Sequence, residues 1–310
     1  MNQRVAKLLE TIDEKSEAIP YVHTLTGRDP GKTCVIFLGT HGNEPVGLYA
    51  YEHLMEYFAQ HPLEAGTLHF IVSNPQALKN YASASTVDEQ RRSRFVDINM
   101  NRMPKDHPRD SYEGRRLQEI LPLMEAADIA LDLHSTSLPS DPMLIPLGAT
   151  EEHHLQAIPV ETIVSGVGDV LGEQFLLHYA GGYPGTSCAS LLVECGEHED
   201  PKSISNALHS VEALLHLHGL HRFPVHPTPT QHAYTVVRSI FFPHSSYCLV
   251  EEFGNFAPIK EGDLIATGDG PPMFCPHDGH TLFAFQGGKP PSIAEEALFL
   301  TLPRVTRTNR

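Results

Sequence analysis

The sequence predicts an α/β fold with a smaller, β-rich C-terminal domain, and three observations carry that prediction. Short apolar runs that read as buried strands alternate with amphipathic helical stretches through the first 220 or so residues. Three of those runs lead to histidine or glutamate: 129–133 and 191–193 directly, and 34–38 after a Gly-Thr break. Beyond a cluster of prolines at Pro224, Pro227 and Pro229 the pattern shortens into runs separated by Gly and Pro turns.

In chain order, Val5, Leu8, Leu9 and Ile12 have helical spacing, and Pro20 ends that helix. Residues 34–38 form a fully buried strand. The stretch 46–58, with Leu48, Tyr51, Leu54, Met55 and Phe58, forms an amphipathic helix. A second strand, 68–72, closes on Ser73, Asn74 and Pro75. From 76 to 108 the pattern dissolves into a polar loop, in which a solvated place is expected for Arg91 and Arg92 but not for Arg94, Asn101 and Arg102. A helix over 112–126 runs through Pro122. Strands follow at 129–133, 143–147 and 161–164, then a helix over 167–177 interrupted by Gly172, and a turn-rich loop from Tyr183 to Ser187. The strand at 191–193 and a helix over 203–220 complete a domain assigned to residues 1–222. The proline cluster is a stiff linker. Residues 223–310 form the second domain, with GNFAPIKEGDLIATGDG reading as the tight hairpins of a small barrel or sandwich.

Composition narrows the function. A net charge of -16 repels polyanions, which argues against nucleic acid as a partner. The first residues lack the apolar core of roughly 7 to 15 residues that a signal peptide needs, and no run approaches the roughly 18 required to span a membrane. Five scattered cysteines without a C-x-x-C read as reduced, buried thiols. A cytoplasmic protein is expected, and a homo-oligomer stays open.

The chemistry concentrates where the strands end. His41 and Glu44 leave the carboxyl end of the first strand, and His134 leaves that of 129–133. Catalytic zinc takes three such ligands and keeps one position for water, so these residues supply a His₂Glu set for one Zn²⁺ per chain. H-x-x-E alone recurs by chance, and by itself a helix N-cap region is the plainer reading; a second strand ending on histidine raises the metal reading. Glu194, at a third strand end, suits a general base that takes a proton from water and passes it to a leaving nitrogen. Its bland alternative is a strand-end ion pair.

Taken in order, GTHGNEPVG, NMNRMP, DLHST and VECG resemble the motifs of the succinylglutamate desuccinylase/aspartoacylase family, relatives of the zinc carboxypeptidases. The resemblance covers about residues 33 to 200 and implies a zinc carboxypeptidase-like mixed sheet flanked by helices. It implies His41, Glu44 and His134 as zinc ligands and Glu194 as the base. Arg94 matches the arginine that polarises the scissile carbonyl, and Asn101 with Arg102 matches the pair that grips a substrate carboxylate. Asp132, two residues before His134, is placed to accept from a ligand imidazole or to cap its strand. The implied activity is zinc-dependent removal of an acyl group from a small N-acyl amino acid, a small-molecule carboxylate. A metallocarboxypeptidase and a non-catalytic metal- or carboxylate-binding module are the alternatives.

The sequence departs from the family pattern in ways that touch the substrate. The D-L-N-R element reads Asn99-Met100-Asn101-Arg102, with Asp97 two positions away. In aspartoacylases a tyrosine is followed four residues later by an arginine for the aspartyl group. Here Tyr183 carries over as a substrate-binding residue, but Ser187 replaces the arginine, and the late tyrosine finds no match near Ile293. His216, His218 and His221 form H-x-H-x-x-H without an acidic partner, and a role at a helix C-terminus suits them better than a metal. No G-x-S-x-G supports a serine hydrolase.

Overall fold

The computed structural model describes residues 2–103, 110–148, 150–171, 175–182, 187–198, 200–284 and 296–303. Asn2 caps the first helix, α1 (Gln3–Glu14), by accepting from the Val5 amide, and Val5, Leu8, Leu9 and Ile12 form its buried face as their spacing predicts. β1 (Val22–Thr26) has no counterpart in the sequence expectation, because only Val22 is buried and no apolar alternation marks it. β2 (Asp29–Leu38) begins exposed and is fully buried from Cys34 onward. It leads through the turn carrying His41 and Glu44 into α2 (Val46–Phe58), and then β3 (Ala65–Val72) follows.

The expected loop over 76–108 is a correction. It holds α3 (Pro75–Ser83), capped by the Asn74 side chain accepting from Ala77, and α4 (Val87–Arg92), with a capping box between Thr86 and Glu89. A 3₁₀ turn (Met100–Arg102) comes next, and residues 104–109 lie outside the described part. These helices are too short to show several turns of apolar period. Their caps, with Asn, Thr and Glu at defined spacings, are the signal they leave.

α5 (Tyr112–Glu125) keeps an exposed Pro122 in its last turn. β4 (Ile129–Thr136), β5 (Met143–Gly148), α6 (Glu152–Ala157) and β6 (Thr162–Ser165) follow. The helix expected over 167–177 is shorter: α7 (Val167–Leu171) is followed, past residues 172–174, by buried Phe175, Leu176 and Leu177 and a wide π turn (His178–Gly182). β7 (Ala189–Glu197) and α8 (Pro201–Leu217) come before the proline-rich linker. The remaining strands are β8 (His232–Phe241), β9 (Cys248–Leu249), β10 (Pro258–Ile259), β11 (Leu264–Thr267), β12 (Met273–Phe274), β13 (Gly279–Leu282) and β14 (Glu296–Pro303).

One mixed sheet of eleven strands runs in the order β1-β3-β2-β4-β7-β5-β6-β8-β14-β13-β10, with a separate small sheet β12-β11-β9. Its centre, β3-β2-β4-β7, is parallel, and β5 runs antiparallel to β7. Alternate residues of the central strands point to opposite faces. Ile36, Leu38, Leu131 and Leu191 pack with α1, α2 and α8, while Val35, Phe37, Ala130 and Leu192 pack with α5. Each fully buried side chain of this size is worth about 1.5–3 kcal/mol relative to exposure. A third apolar cluster, including Phe242, Tyr247, Ile265 and Leu298, lies entirely beyond the linker. Strand pairing nevertheless crosses the linker, since β8 hydrogen-bonds in parallel to β6. The five cysteines are free thiols, four of them buried. Among the described residues no helix is long and apolar enough to cross a membrane.

Candidate metal centre

Sheet register brings the chemistry to one edge. Leu38 pairs with Leu133, and one step further along β4 His134 pairs with Glu194 of β7. The ligand turn leaves β2 beside them at Gly39, whose positive φ of 63° suits glycine. Carboxyl ends of adjacent parallel strands thus hold all three strand-end groups predicted from sequence.

The carboxylate of Glu44 lies between two imidazoles. His41 Nδ1 is 2.9 Å from Oε1 and His134 Nδ1 is 2.8 Å from Oε2, with the two rings edge to face at 4.9 Å between centroids. One donor atom from each residue lies within 4.8 Å of the others, and all three side chains are buried. The far side of each ring is also fixed. His134 Nε2 lies 2.8 Å from Asp132 Oδ2, and His41 Nε2 lies 3.0 Å from Asn99 Oδ1. Asp132 is held in turn by the Thr40 hydroxyl, which donates to Oδ1 at 2.8 Å. Asp132 therefore takes the imidazole-backing position open to it from sequence, whereas Asn99 and Thr40 are additions that spacing alone does not mark.

Charge follows this packing. Burial, then Arg94, depresses the basicity of His41 to a pKa of about 4, with Glu44 opposing. Burial also opposes a charge on His134, but Asp132 and Glu44 on its two sides hold it well above the ordinary histidine range. Burial would raise Glu44 too, yet His41, Arg94 and His134 keep it well below the usual carboxylate range. The Glu44 carboxylate is thus ionised and aimed at both Nδ1 atoms.

Arg94 converges on the same group, donating from Nη1 to Glu44 Oε1. Its backbone carbonyl accepts from the Gly42 amide at 2.9 Å, which joins the arginine segment to the ligand turn. Gly42 has no room for a side chain, because a Cβ would meet the backbone of Ala77 and Ser93. Glu194 is half-buried as a residue, but its Oε2 is sealed from solvent and lacks a hydrogen-bond partner among the described residues. Burial pushes its pKa up to about 7, with His134 opposing and Glu44 reinforcing.

Asn101 is buried, its Oδ1 accepting from the Leu176 amide at 3.0 Å and its Nδ2 lying 3.3 Å from His134 Nε2. Arg102 donates to the Asn101 carbonyl at 2.6 Å and lies over the Phe175 ring at 5.6 Å. Tyr183 and Ile293 fall outside the described residues, and Ser187 is exposed. His216, His218 and His221 do not converge: His221 packs on Tyr57, Phe58 and Phe223, whereas His218 stacks on His154. Sequence reasoning also missed Ser135, whose amide donates to Glu44 Oε2 at 3.3 Å and whose hydroxyl lies 2.8 Å from His198 Nδ1.

The mixed α/β sheet thus carries a His-Glu-His cluster at its central strand ends. Residues 30–168 match the succinylglutamate desuccinylase/aspartoacylase catalytic domain, the family whose ordered motifs the sequence resembles. Aspartoacylase of Rattus norvegicus is 30% identical over 125 residues, a match spanning 35% of this chain and 36% of that relative's length. Among solved structures, succinylglutamate desuccinylase from Vibrio parahaemolyticus superposes with a TM-score of 0.69 at 16% identity, covering 91% of this chain and 86% of the other. Succinylglutamate desuccinylase/aspartoacylase from Rhodobacter sphaeroides does so with a TM-score of 0.66 at 15% identity, covering 92% and 89%. These structural likenesses establish a shared fold across both sides of the linker.

Proposed function

We propose that this chain is a zinc-dependent amidohydrolase that removes the acyl group from a small N-acyl amino acid. The observation that carries the reading is the buried His41, Glu44 and His134 set with both far ring nitrogens already backed by oxygen acceptors. Two imidazoles and a carboxylate suit zinc, and backing of the far nitrogen fixes the tautomer that leaves Nδ1 free to ligate. An ion held there supplies Lewis acidity, making water a competent nucleophile near neutral pH.

The remaining steps belong to the side chains. Glu194, with an unpartnered Oε2 and a pKa near neutrality, accepts the water proton at that oxygen and returns it to the departing nitrogen. The Arg94 guanidinium is the cation available to the developing oxyanion. Arg102 supplies a guanidinium fork for the substrate carboxylate, and Asn101 steadies the His134 ring beside it. Tyr183 keeps the substrate-binding role that the resemblance implies.

Ser187 in place of an arginine argues that the side chain of the amino acid is not a carboxylate. A second anionic group left without its cation would cost binding strongly. The test is elemental analysis of purified protein, followed by a turnover screen of N-acyl amino acids and short peptides. The expected result is one tightly held zinc at this centre and hydrolysis of N-acyl amino acids with neutral side chains. Higher kcat/KM on peptides would favour a carboxypeptidase, higher kcat/KM on N-acetylaspartate would refute the substrate assignment, and metal without turnover would indicate a binding module.

A further inference from the structure

Two histidines and a glutamate also meet on the outer side of α8. His209 and Glu212 stand three residues apart on the helix, and such spacing puts two side chains on one face. The linker folds back so that His226 Nε2 lies 2.8 Å from Glu212 Oε2. The His226 ring stacks on that of His209, with centroids 3.8 Å apart and 27° between planes. One ligand atom of each of the three lies within 4.8 Å of the others, and all three residues are half-buried. Among the described residues this is the second such group, and it shares no member with the first.

The arrangement is built by the chain on both sides of His226. Before it, the Leu220 carbonyl accepts from the amides of Glu64 and Ala65 at 3.0 and 3.1 Å. After it, the Thr228 hydroxyl donates to the Gln156 carbonyl at 2.7 Å, and Gln231 Nε2 donates to Leu155 O at 2.8 Å. The third donor is therefore carried to the helix by a tethered segment, so little ordering entropy remains to be lost on binding an ion.

We propose that His209, Glu212 and His226 form a second metal site, for a zinc-class divalent transition ion, that fastens the linker to α8. Imidazole with carboxylate favours zinc, nickel, cobalt or copper over calcium and magnesium, which prefer all-oxygen sets. The linker feeds directly into β8, so the ion clamps the entry to the strands beyond it.

The test is zinc titration of chelator-stripped protein, read by elemental analysis after gel filtration and by calorimetry. Wild type should bind two equivalents. The double variant His209→Gln/His226→Gln should bind one while turning over substrate as wild type does, and His41→Ala/His134→Ala should bind one while losing turnover. Zinc should raise the Tm of the His41→Ala/His134→Ala protein, and this shift should vanish when His209→Gln and His226→Gln are added. Unchanged zinc stoichiometry and Tm response in His209→Gln/His226→Gln would overturn the proposal and leave a surface ion pair only. Loss of zinc from His209→Gln/His226→Gln alone would instead refute the first centre and keep the second.

Discussion

The Nε2 atom of His41 lies 3.0 Å from the Oδ1 atom of Asn99, an amide, whereas the equivalent atom of His134 faces the Asp132 carboxylate at 2.8 Å. A carboxylate behind an imidazole raises its basicity as a ligand more than a neutral amide does. His41 is thus the weaker donor of the pair. Asn99→Asp should tighten zinc by about tenfold and Asn99→Ala should loosen it by a similar factor, as read by competition with a chromophoric chelator. Equal affinities in all three proteins would show that the backing group is immaterial.

Glu194 carries no ligand in the proposed chemistry, so its loss separates proton transfer from metal binding. Glu194→Gln keeps the side chain's shape and removes its ability to take a proton. Turnover should fall by about 10²–10⁴ with zinc content unchanged, measured by steady-state kinetics alongside elemental analysis. Activity within a few-fold of wild type would remove Glu194 as the base.

Gly42 joins the ligand turn to the arginine segment through its amide, with backbone of Ala77 and Ser93 where a Cβ would stand. Gly42→Ala must push His41 and Arg94 apart or shift α3. The expected cost is about 1–3 kcal/mol of stability, as for overpacking elsewhere, together with weaker zinc retention. Chemical denaturation and chelator competition on the same protein measure both, and a variant indistinguishable from wild type would mean that the turn is looser than its packing implies.

The histidines of the H-x-H-x-x-H run have a different consequence. His218 stacks on His154 at 5.1 Å between centroids, and His154 stacks on His153 at 3.9 Å. Burial, then the neighbouring His154, lowers the His218 pKa to about 4. Its folded value lies below the unfolded one of about 6.5, so the unfolded chain binds more protons between the two. Stability from this stack is complete above about pH 6.5 and is lost as pH falls toward 4. His218→Phe should therefore show a smaller drop in Tm between pH 7 and pH 5 than wild type. An equal drop in both would place the acid sensitivity elsewhere.

The fold and the His41, Glu44 and His134 cluster were legible for one reason: buried parallel strands announce themselves as apolar runs, and their ends fall at predictable residues. His41, Glu44, His134 and Glu194 all follow such runs. What surrounds them was not legible, because it is assembled from distant segments. Asn99 reaches His41 from 58 positions away, through a 3₁₀ turn that the sequence disguises as loop. Thr40 and Asp132 are 92 positions apart, and no spacing rule links them. β1 was invisible for the opposite reason, since an edge strand with one buried residue shows no alternation. His226 likewise gains meaning only when the proline-rich stretch folds back on α8.

The parallel pairing of β6 with β8 joins residues 162–165 to 232–235 across the proline-rich stretch. A chain cut at that stretch would leave β6 with a bare row of amides and carbonyls, the geometry that recruits strands from other molecules. The segment beyond the linker thus covers an edge of β6 that would otherwise lie open to other strands. Separate production of the two halves should give insoluble material, and co-expression should restore it to solution.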